Sequence, residues 1–378
     1  MQKRLLMTPG PTPVPPEVLA AMAEPIIHHR TPEFKAVFTS CSNDLREVFA
    51  TSQQVLMLSC SGTGAMEASI SNFMSLGDTV ITVNGGKFGE RWGQIAHAYG
   101  LNVVEIDVEW GKSVSVEQVE AALQKHPETR GVYLQASETS TGAVHPVQSI
   151  AALCRTRPQT LCVVDGITAV GVQPVHMDEW GIDIVVSGAQ KAFMLPPGLG
   201  FIACSEKAWA HAENSNLPCY YFDLRKERKN QAKGTTAYTS PVSLIVGLRR
   251  VLDRMKDLGL NGLHAHHLKL AQATRAGVQA MGLSLLADVP ADSVTAVWAP
   301  DAIGAGPIVS GLNERGIKIA GGQDHLKGKI FRIGHLGWFD GKDILVTLCT
   351  LETVLLSLGH EMEIGVGAAA AAKILEAS

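Results

Sequence analysis

Three absences narrow the function of this chain before any motif is considered. The 32 lysine and arginine residues are outnumbered by 36 aspartate and glutamate residues, which gives a net charge of −4. The chain therefore lacks the basic excess of a protein that binds nucleic acid or an anionic membrane. No apolar run is long enough to cross a bilayer. We expect neither nucleic-acid nor membrane partners.

The cysteines are too scattered for a metal or redox motif. The seven of them are never closer than eight positions apart, which excludes Cys-x-x-Cys pairs and iron–sulfur spacing. This pattern indicates reduced, mostly structural thiols and no metal site. The segment Met1-Gln2-Lys3-Arg4 leads into prolines and not into an apolar signal-peptide segment, so we expect a cytoplasmic protein.

Charged residues are also scarce. They make up 18% of the 378 residues, whereas about a quarter is usual. The low charge predicts that much of the surface is buried and favours a homo-oligomer, in which subunits cover that surface. The length is large for one hydrophobic core, so about two domains are expected.

Apolar strand-like runs alternate with segments of helical period over the first half of the chain. This alternation predicts an α/β fold with a mainly parallel sheet covered by helices on both faces. The predicted strands are Val55–Leu58, Thr79–Val83, Val103–Val108, Val132–Gln135, Leu161–Val164, Ile184–Val186 and Gly200–Cys204.

The pattern changes after Ser240-Pro241. Two long helices, Val242–Leu258 and Leu263–Met281, precede a βαβ-like tail, which predicts a smaller α+β domain. The alanine-rich end from Gly365 to Ser378 reads as a frayed helix or a loose tail. The predicted organisation is an N-terminal arm over 1–16, a large domain over 17–258 and a small C-terminal domain over 259–378.

Lys191 stands out because it follows the apolar run Ile184-Val185-Val186. A buried ammonium loses its solvation, so it lowers its pKa, finds a partner or forms a covalent imine. Position alone favours a lysine that ends the strand and extends its ammonium to water. The alternative is a lysine that holds pyridoxal phosphate (PLP) as a Schiff base.

Ligands of open α/β sheets bind at the carboxyl ends of the strands, so residues just after the apolar runs are candidates. The segment Ser59–Gly64 opens a helix and offers amides and hydroxyls to a phosphate. Asp165 follows Val164 and suits a pyridinium nitrogen. Each has a structural alternative, since the first can simply cap a helix and the second a turn.

Two further strand ends carry suitable chemistry. The hydroxyl-rich loop Ser137–Gly142 can hydrogen-bond a ring oxygen, and Phe88, in the glycine-rich segment Asn84–Gly89, offers a flat face. Taken alone, the first is an ordinary loop and the second is more often a core aromatic.

These motifs, in the order phosphate cradle, aromatic, hydroxyl loop, aspartate and lysine, resemble the class V aminotransferase family of fold-type I PLP enzymes. The most specific piece is Ser187-Gly188-Ala189-Gln190-Lys191 followed by Pro196-Pro197-Gly198. Within the family the chain most resembles alanine–glyoxylate and serine–glyoxylate aminotransferases, including a branch labelled soluble hydrogenase subunit. The resemblance covers nearly the whole chain and favours the Schiff-base interpretation of Lys191.

The resemblance implies a role for each site residue. Lys191 forms the Schiff base and shuttles the proton, Asp165 pairs with the ring nitrogen, and Arg332 grips the substrate α-carboxylate. A homodimer with shared active sites is also implied, with the N-terminal arm at the subunit interface. The remaining implied cofactor contacts are Phe88 and Ile167 on the ring, Thr139 on its hydroxyl, Ser61, Gly62, Thr63 and Gln190 on the phosphate, and Thr239 on the partner's phosphate.

The implied reaction is ping-pong transfer of an amino group from alanine or serine to a 2-oxo acid, with glyoxylate preferred. Alternatives are aspartate or phosphoserine transamination, cysteine desulfuration, and a catalytically idle homologue. Arg30 is the candidate for a second substrate carboxylate, although a structural role is favoured for it. Asp324-His325 is a candidate for the rim of the site.

Three positions depart from the family pattern. Thr63, Phe88 and Thr236 stand where some relatives carry histidine, tryptophan and tyrosine. These changes bear on cofactor affinity and substrate preference and leave the expected cofactor unchanged. His264, His266 and His267 share a helix with Lys269, so we expect them at the surface and not at a metal site.

Overall fold

The structure is a computed structural model that describes residues 4–377. Residues 1–3 of the predicted arm, and Ser378, lie outside the described residues. The helices are α1 Pro16–Met22, α2 Pro32–Val48, α3 Gly62–Ser71, α4 Lys87–Ala98, α5 Val116–Lys125, α6 Val147–Arg155, α7 Met177–Trp180, α8 Glu206–Ala212, α9 Leu224–Gln231, α10 Val242–Ala280, α11 Ala305–Glu314, α12 Gly341–Ser357 and α13 Val366–Glu376. The strands are β1 Leu5–Leu6, β2 Val55–Leu58, β3 Thr79–Asn84, β4 Asn102–Asp107, β5 Gly131–Gln135, β6 Ser137–Glu138, β7 Ala143–Val144, β8 Leu161–Asp165, β9 Ile184–Gly188, β10 Gly200–Cys204, β11 Val294–Trp298, β12 Ile317–Lys318, β13 Ala320–Gly321 and β14 Ile330–Gly334.

The central sheet of the described chain has the strand order β2-β10-β9-β8-β5-β3-β4. The strands from β9 to β4 pair in parallel, whereas β10 runs antiparallel to both of its neighbours, β2 and β9. β2 therefore points in the same direction as β9. The predicted α/β fold with a mainly parallel sheet is confirmed, and every strand of this sheet except β10 ends at one edge.

Alternate residues of each strand face opposite sides of the sheet and enter different cores. Val164 and Val185 pack with α2, α5, α6 and the first half of α10. Val163 and Val186 pack with α3, α4 and α8 on the other face. Because both faces are buried, the strands are apolar throughout and the helices fix the positions of the strand ends.

The C-terminal segment builds a smaller antiparallel sheet in the order β11-β14-β13. A separate core joins this sheet to α11, α12, α13 and the second half of α10. The N-terminal arm belongs to this part as well, because Met7 is buried in the same core and β1 pairs with β12. The domain boundaries after residues 16 and 258 stay a prediction.

The helix pair predicted after Pro241 is confirmed, because two helical segments meet within α10 at a kink. The predicted break covered 259–262, whereas only Gly259 leaves helical geometry, with φ 67° and ψ 162°. The break is this short because glycine accepts a positive φ without a steric penalty. None of the helices within residues 4–377 combines the length and the apolar character needed to cross a membrane.

The prediction of a frayed or loose C-terminus is wrong. α13 is a packed helix in which Ala371 is fully buried. Its first amides are capped by Glu352 of α12, whose carboxylate accepts hydrogen bonds from the amides of Gly365, Gly367 and Ala368. A buried carboxylate at a helix N-terminus satisfies the free amides and matches the helix dipole.

His267 also departs from its predicted surface position. It is 2% exposed, and its Nε2 atom accepts a hydrogen bond from the Gly337 amide at 3.1 Å. The helix face that carries His267 packs against the turn before α12, which the local sequence of α10 does not reveal.

Candidate active site

The motifs singled out in the sequence converge because their strands end at the same edge of the sheet. They are separated by up to 132 positions in the chain, from 59 to 191, but follow strands of one sheet. The segments involved are 59–64 after β2, 84–89 after β3, 137–142 after β5, Asp165 at the end of β8 and Lys191 after β9.

Lys191 lies in the turn that follows β9, and its side chain reaches the N-terminal arm. Its Nζ atom donates a hydrogen bond to the Pro9 carbonyl oxygen at 2.8 Å. A Cβ atom added at Gly10 would overlap with Nζ as placed, and the φ of 134° at Gly10 is one that other residues rarely adopt, so glycine suits this position. The hydroxyl of Thr12 donates to the Lys191 carbonyl oxygen at 2.9 Å and fixes the backbone of the turn.

Burial lowers the pKa of Lys191 to about 8, because the ammonium loses most of its solvation. The carboxyl of Asp165 opposes this shift, whereas the positive charges of Arg332 and Arg91 add to it. A larger share of this amine than of an ordinary lysine is therefore neutral, and hence nucleophilic, near neutral pH.

The Lys191 amine should react with an aldehyde at a rate that rises with pH and levels off above about 8. Only the neutral amine attacks a carbonyl, so the rate follows its neutral fraction, which for an ordinary lysine keeps rising to about pH 10.4. The measurement is the initial rate at which pyridoxal modifies the apo protein, with Lys191→Ala as the background for other lysines. A Lys191-specific rate that still climbs beyond pH 10 contradicts the lowered pKa.

Asp165 ends β8 and is 4% exposed. Within residues 4–377 its hydrogen-bond donor is the amide of Ile167, 2.8 Å from Oδ1. Burial raises the pKa of Asp165 to about 7, against the lowering effect of that amide and of Arg91 and Lys191. The carboxyl oxygens of Asp165 can accept further hydrogen bonds, so a cationic nitrogen placed beside them would stabilise the ionised form.

The N-terminus of α3 forms a narrow, glycine-lined hollow. Ser61 is the N-cap residue, but its side chain makes no capping hydrogen bond, and the first amides of a helix have no partner within the helix. A Cβ atom at Gly62 would collide with Ile167, and one at Gly188 would come within 3.4 Å of Gly62. Gln190 adds a side-chain amide whose Oε1 atom has no hydrogen-bond partner among the described residues, and the NH₂ group of such an amide can donate to a phosphate. This group of amides and hydroxyls suits a phosphate.

Phe88 is held in place by the loop that follows β5. The buried carboxylate of Glu138 accepts hydrogen bonds from the amides of Phe88 and Gly89, at 3.1 and 3.0 Å. The same carboxylate accepts from the amide and the hydroxyl of Ser140, and that hydroxyl oxygen accepts from the Lys87 amide at 3.0 Å. Glu138 therefore caps α4 from a different segment and sets the position of the Phe88 ring.

Arg91 links the aromatic face to the α3 hollow. Its guanidinium carbon lies 4.8 Å from the centre of the Phe88 ring, and its Nη1 atom donates to the Thr63 hydroxyl at 3.1 Å. Neither Arg91 nor Glu138 was among the sequence-predicted site residues. The available signals were the three-residue spacing between Phe88 and Arg91 on one helix face, and a carboxylate among hydroxyl residues after a buried strand.

Arg332 projects from β14 to the loop that follows β5. Its Nη1 and Nε atoms donate to the carbonyl oxygens of Thr139 and Gly321, both at 2.9 Å. Arg332 is 7% exposed, and no carboxylate of residues 4–377 forms an ion pair with it. Burial lowers its pKa to about 10, while Glu138 opposes that shift. The hydroxyl of Thr139 is hydrogen-bonded to that of Thr168 at 3.1 Å.

The rim carries a small charge network. Lys87 forms ion pairs with Glu90, at 2.7 Å, and with Asp324, at 3.0 Å. The His325 ring lies 4.6 Å from that of Trp110. The Asp324-His325 pair is thus next to the helix that carries Phe88, and its charge is already balanced by Lys87.

Thr239 is the predicted site residue that the structure leaves apart. It is exposed in the segment between α9 and α10, where it borders a hollow with Ser59 and Tyr238. Arg30 lies near this segment, because it donates to the hydroxyl of Thr235 and to the carbonyl oxygen of Thr236, at 2.7 and 3.1 Å.

The grouped side chains fit PLP by their chemistry. They offer an amine of lowered pKa for its aldehyde, a buried carboxyl for its ring nitrogen, an aromatic and an aliphatic side chain for its faces, and free helix amides for its phosphate. This fold and this set of groups define a fold-type I PLP-dependent transferase. The chain belongs to the class V aminotransferase family, whose sequence model, aminotransferase class-V, matches residues 4–333.

Relatives of known name match over nearly the full length. The small subunit of a soluble hydrogenase from Synechococcus sp. (strain PCC 6716) is 43% identical, over 99% of this chain and 98% of that protein. The L-aspartate–glyoxylate aminotransferase of Paracoccus denitrificans is 37% identical, over 97% and 94%. The serine–glyoxylate aminotransferase of Methylorubrum extorquens is 34% identical, over 98% and 95%.

The fold agrees with that of solved aminotransferases. The ureidoglycine–glyoxylate aminotransferase of Bacillus subtilis is 30% identical, covers 100% of this chain and 99% of its own, and superposes with a TM-score of 0.93. The family resemblance and the fold class predicted from the sequence are both confirmed.

Proposed function

We propose that this chain is a PLP-dependent aminotransferase that moves an amino group from alanine or serine to glyoxylate by a ping-pong mechanism. The observation that carries the proposal is the enclosed Lys191 amine, whose pKa is lowered by burial and which shares the site with the Asp165 carboxyl and the unpaired Arg332 guanidinium. The catalytically idle alternative is disfavoured because all three groups are present together.

When bound, PLP supplies an electron sink that makes the Cα–H bond of an amino acid acidic. Asp165 would keep the ring nitrogen protonated, and its raised pKa favours a shared proton with that nitrogen. The other proposed contacts are Phe88 and Ile167 on the ring faces, Thr139 on the ring hydroxyl, and Ser61, Gly62, Thr63 and Gln190 on the phosphate.

Lys191 would have two tasks. Its Nζ atom would anchor the cofactor covalently, and once freed it would take the proton from the substrate Cα and deliver it to C4′ of the cofactor. Both tasks need a neutral amine, which the lowered pKa provides. The fixed backbone of the turn would let the side chain move while its Cα stays in place.

Arg332 would bind the α-carboxylate of the amino acid. It is buried and hydrogen-bonded only to carbonyl oxygens, those of Thr139 and Gly321, so its charge is not neutralised within residues 4–377. A planar guanidinium can bind a carboxylate through two parallel hydrogen bonds. Every α-amino acid substrate would use this contact.

The proposal extends to the assembly and to the location of the protein. Thr239 is exposed, and we assign it to the phosphate at the partner's site in a homodimer. A cytoplasmic location completes the proposal.

Two rival activities are weighed by specific residues. Cysteine desulfuration needs a reactive cysteine on a loop of the C-terminal domain, whereas Cys349 lies within α12, where partial desolvation and Glu352 raise the pKa of its thiol. Aspartate transamination is the stronger rival, because Arg91 has no acidic partner among the described residues and one relative is named for aspartate.

Half-reactions test the proposal directly. Purified protein loaded with PLP is mixed with alanine, serine, aspartate, phosphoserine or cysteine, and the absorbance of the bound cofactor reports its conversion to the amine form. Alanine or serine should convert it, and glyoxylate should then restore the starting spectrum. Failure of every small neutral amino acid contradicts the donor assignment. Formation of alanine from cysteine, with sulfide released when a thiol reductant is added, would favour the desulfurase.

A further inference from the structure

Arg91 is a half-buried cation without an acidic partner. Its guanidinium contacts the Phe88 ring, at 4.8 Å, and the Thr63 hydroxyl, at 3.1 Å. Neither neighbour carries a charge, and no carboxylate of residues 4–377 forms an ion pair with it. Lys87, one turn earlier on α4, is by contrast paired with two carboxylates. Acidic partners are therefore available to a cation on α4, but Arg91 has none of them.

The hydrogen bond from Arg91 ends at the positive end of a helix. Thr63 is the second residue of α3, whose N-cap, Ser61, leaves its side chain out of any capping bond. A helix N-terminus carries a partial positive charge of roughly half a unit, so a cation beside it is disfavoured. Two positive features that meet at one hollow call for an anion between them.

The charge of that anion can be stated from this balance. A phosphate ester carries about two negative charges near neutral pH, which matches one guanidinium together with a helix N-terminus better than the single charge of a carboxylate does. A carboxylate already has a binding group in Arg332 of β14, which has no ion-pair partner among residues 4–377 and donates a hydrogen bond to the Thr139 carbonyl oxygen.

We propose that Arg91 binds the phosphate group of the cofactor, together with the free amides of α3 and the Thr63 hydroxyl. This inference rests on the proposed function, because it needs PLP in the site. The phosphate would accept a hydrogen bond from the guanidinium, and the Phe88 ring would hold that guanidinium by a cation–π contact.

A pair of ligands that differ only in the phosphate tests this assignment. The dissociation constants of PLP and of pyridoxal are measured on the apo protein by quenching of tryptophan fluorescence. Arg91→Gln should weaken PLP binding about 10- to 100-fold, as expected for the loss of one charge-assisted hydrogen bond, and leave pyridoxal nearly unchanged. Arg91→Lys should recover part of the PLP affinity.

Lys87→Gln is the matched control, because it removes a paired positive charge from the same helix and should not change the ratio of the two affinities. As a check that does not depend on a variant's folding, inorganic phosphate should compete with PLP for the wild-type apo protein. That competition should weaken in Arg91→Gln, whose fold is verified by circular dichroism.

The opposite results are distinct. An equal loss of PLP and pyridoxal affinity would mean that Arg91 only supports the Phe88 ring. If the PLP affinity is unchanged and only the KM for aspartate rises, Arg91 binds the side-chain carboxylate of the substrate and not the cofactor phosphate. A wild-type protein that binds neither compound would overturn the proposed function, and this inference with it.

Discussion

Replacing Lys191 with alanine should remove nearly all transamination. Loss of a positioned acid–base group alone costs about 10²- to 10⁴-fold in rate, and loss of the covalent anchor adds to that. Lys87 at the rim is held by two carboxylates, so we do not expect it to replace the Nζ atom of Lys191. The measurement is the single-turnover rate of the half-reaction with the best donor found.

The matched control is Lys87→Ala, which removes a lysine from the rim and should retain most of the rate. Borohydride reduction should fix the cofactor to the tryptic peptide that contains Lys191 in the wild type and to no peptide in Lys191→Ala. Near-normal turnover of Lys191→Ala, with the fold intact, would refute the role of this lysine.

The site could be predicted from the sequence because its polar residues come directly after short apolar runs. β8 and β9 are buried on both faces, so their residues form unbroken apolar runs, and Asp165 and Lys191 interrupt that pattern at the ends. A parallel α/β sheet then brings these ends to one edge. The direction of β10, antiparallel to both neighbours, was not predicted. The available signal was the connection from β9 to β10, which contains no helix, whereas parallel neighbours are usually joined by one.

The residues missed from the sequence are those whose partners are distant. Arg91 contacts Thr63 across 28 positions, and Glu138 contacts Gly89 across 49. The contact of Lys191 with the Pro9 carbonyl spans 182 positions. Periodicity and capping rules describe neighbours along the chain, so they cannot identify such pairs.

The site combines several buried charges whose effects oppose one another. Burial pushes the pKa of Lys191 down and that of Asp165 up, while their mutual attraction works against both shifts. Glu138, Arg91 and Arg332 add to the balance. Near neutral pH the site thus combines an amine whose neutral share is larger than that of an ordinary lysine with a carboxyl that readily exchanges a proton.

The variant Asp165→Asn should lower the rate of the half-reaction by about 10²- to 10³-fold, as for the removal of one charge that stabilises the transition state. Asparagine keeps the size of the side chain, and its Oδ1 atom can still accept from the Ile167 amide. It cannot, however, hold a proton on the ring nitrogen, so the electron sink is weakened. PLP should still attach to Lys191, because the amine is unchanged.

Asp183→Asn is the matched control for Asp165→Asn. Asp183 is equally buried, at 5% exposed, but it precedes β9 at the opposite edge of the sheet, where it pairs with Lys207 at 3.1 Å. Its replacement should lower the melting temperature and leave the half-reaction rate nearly unchanged. Asp165→Asn should lower the half-reaction rate and leave the melting temperature nearly unchanged. If Asp165→Asn binds PLP and reacts at the wild-type rate, the carboxyl does not act on the ring nitrogen. The proton would then have to be held by another group.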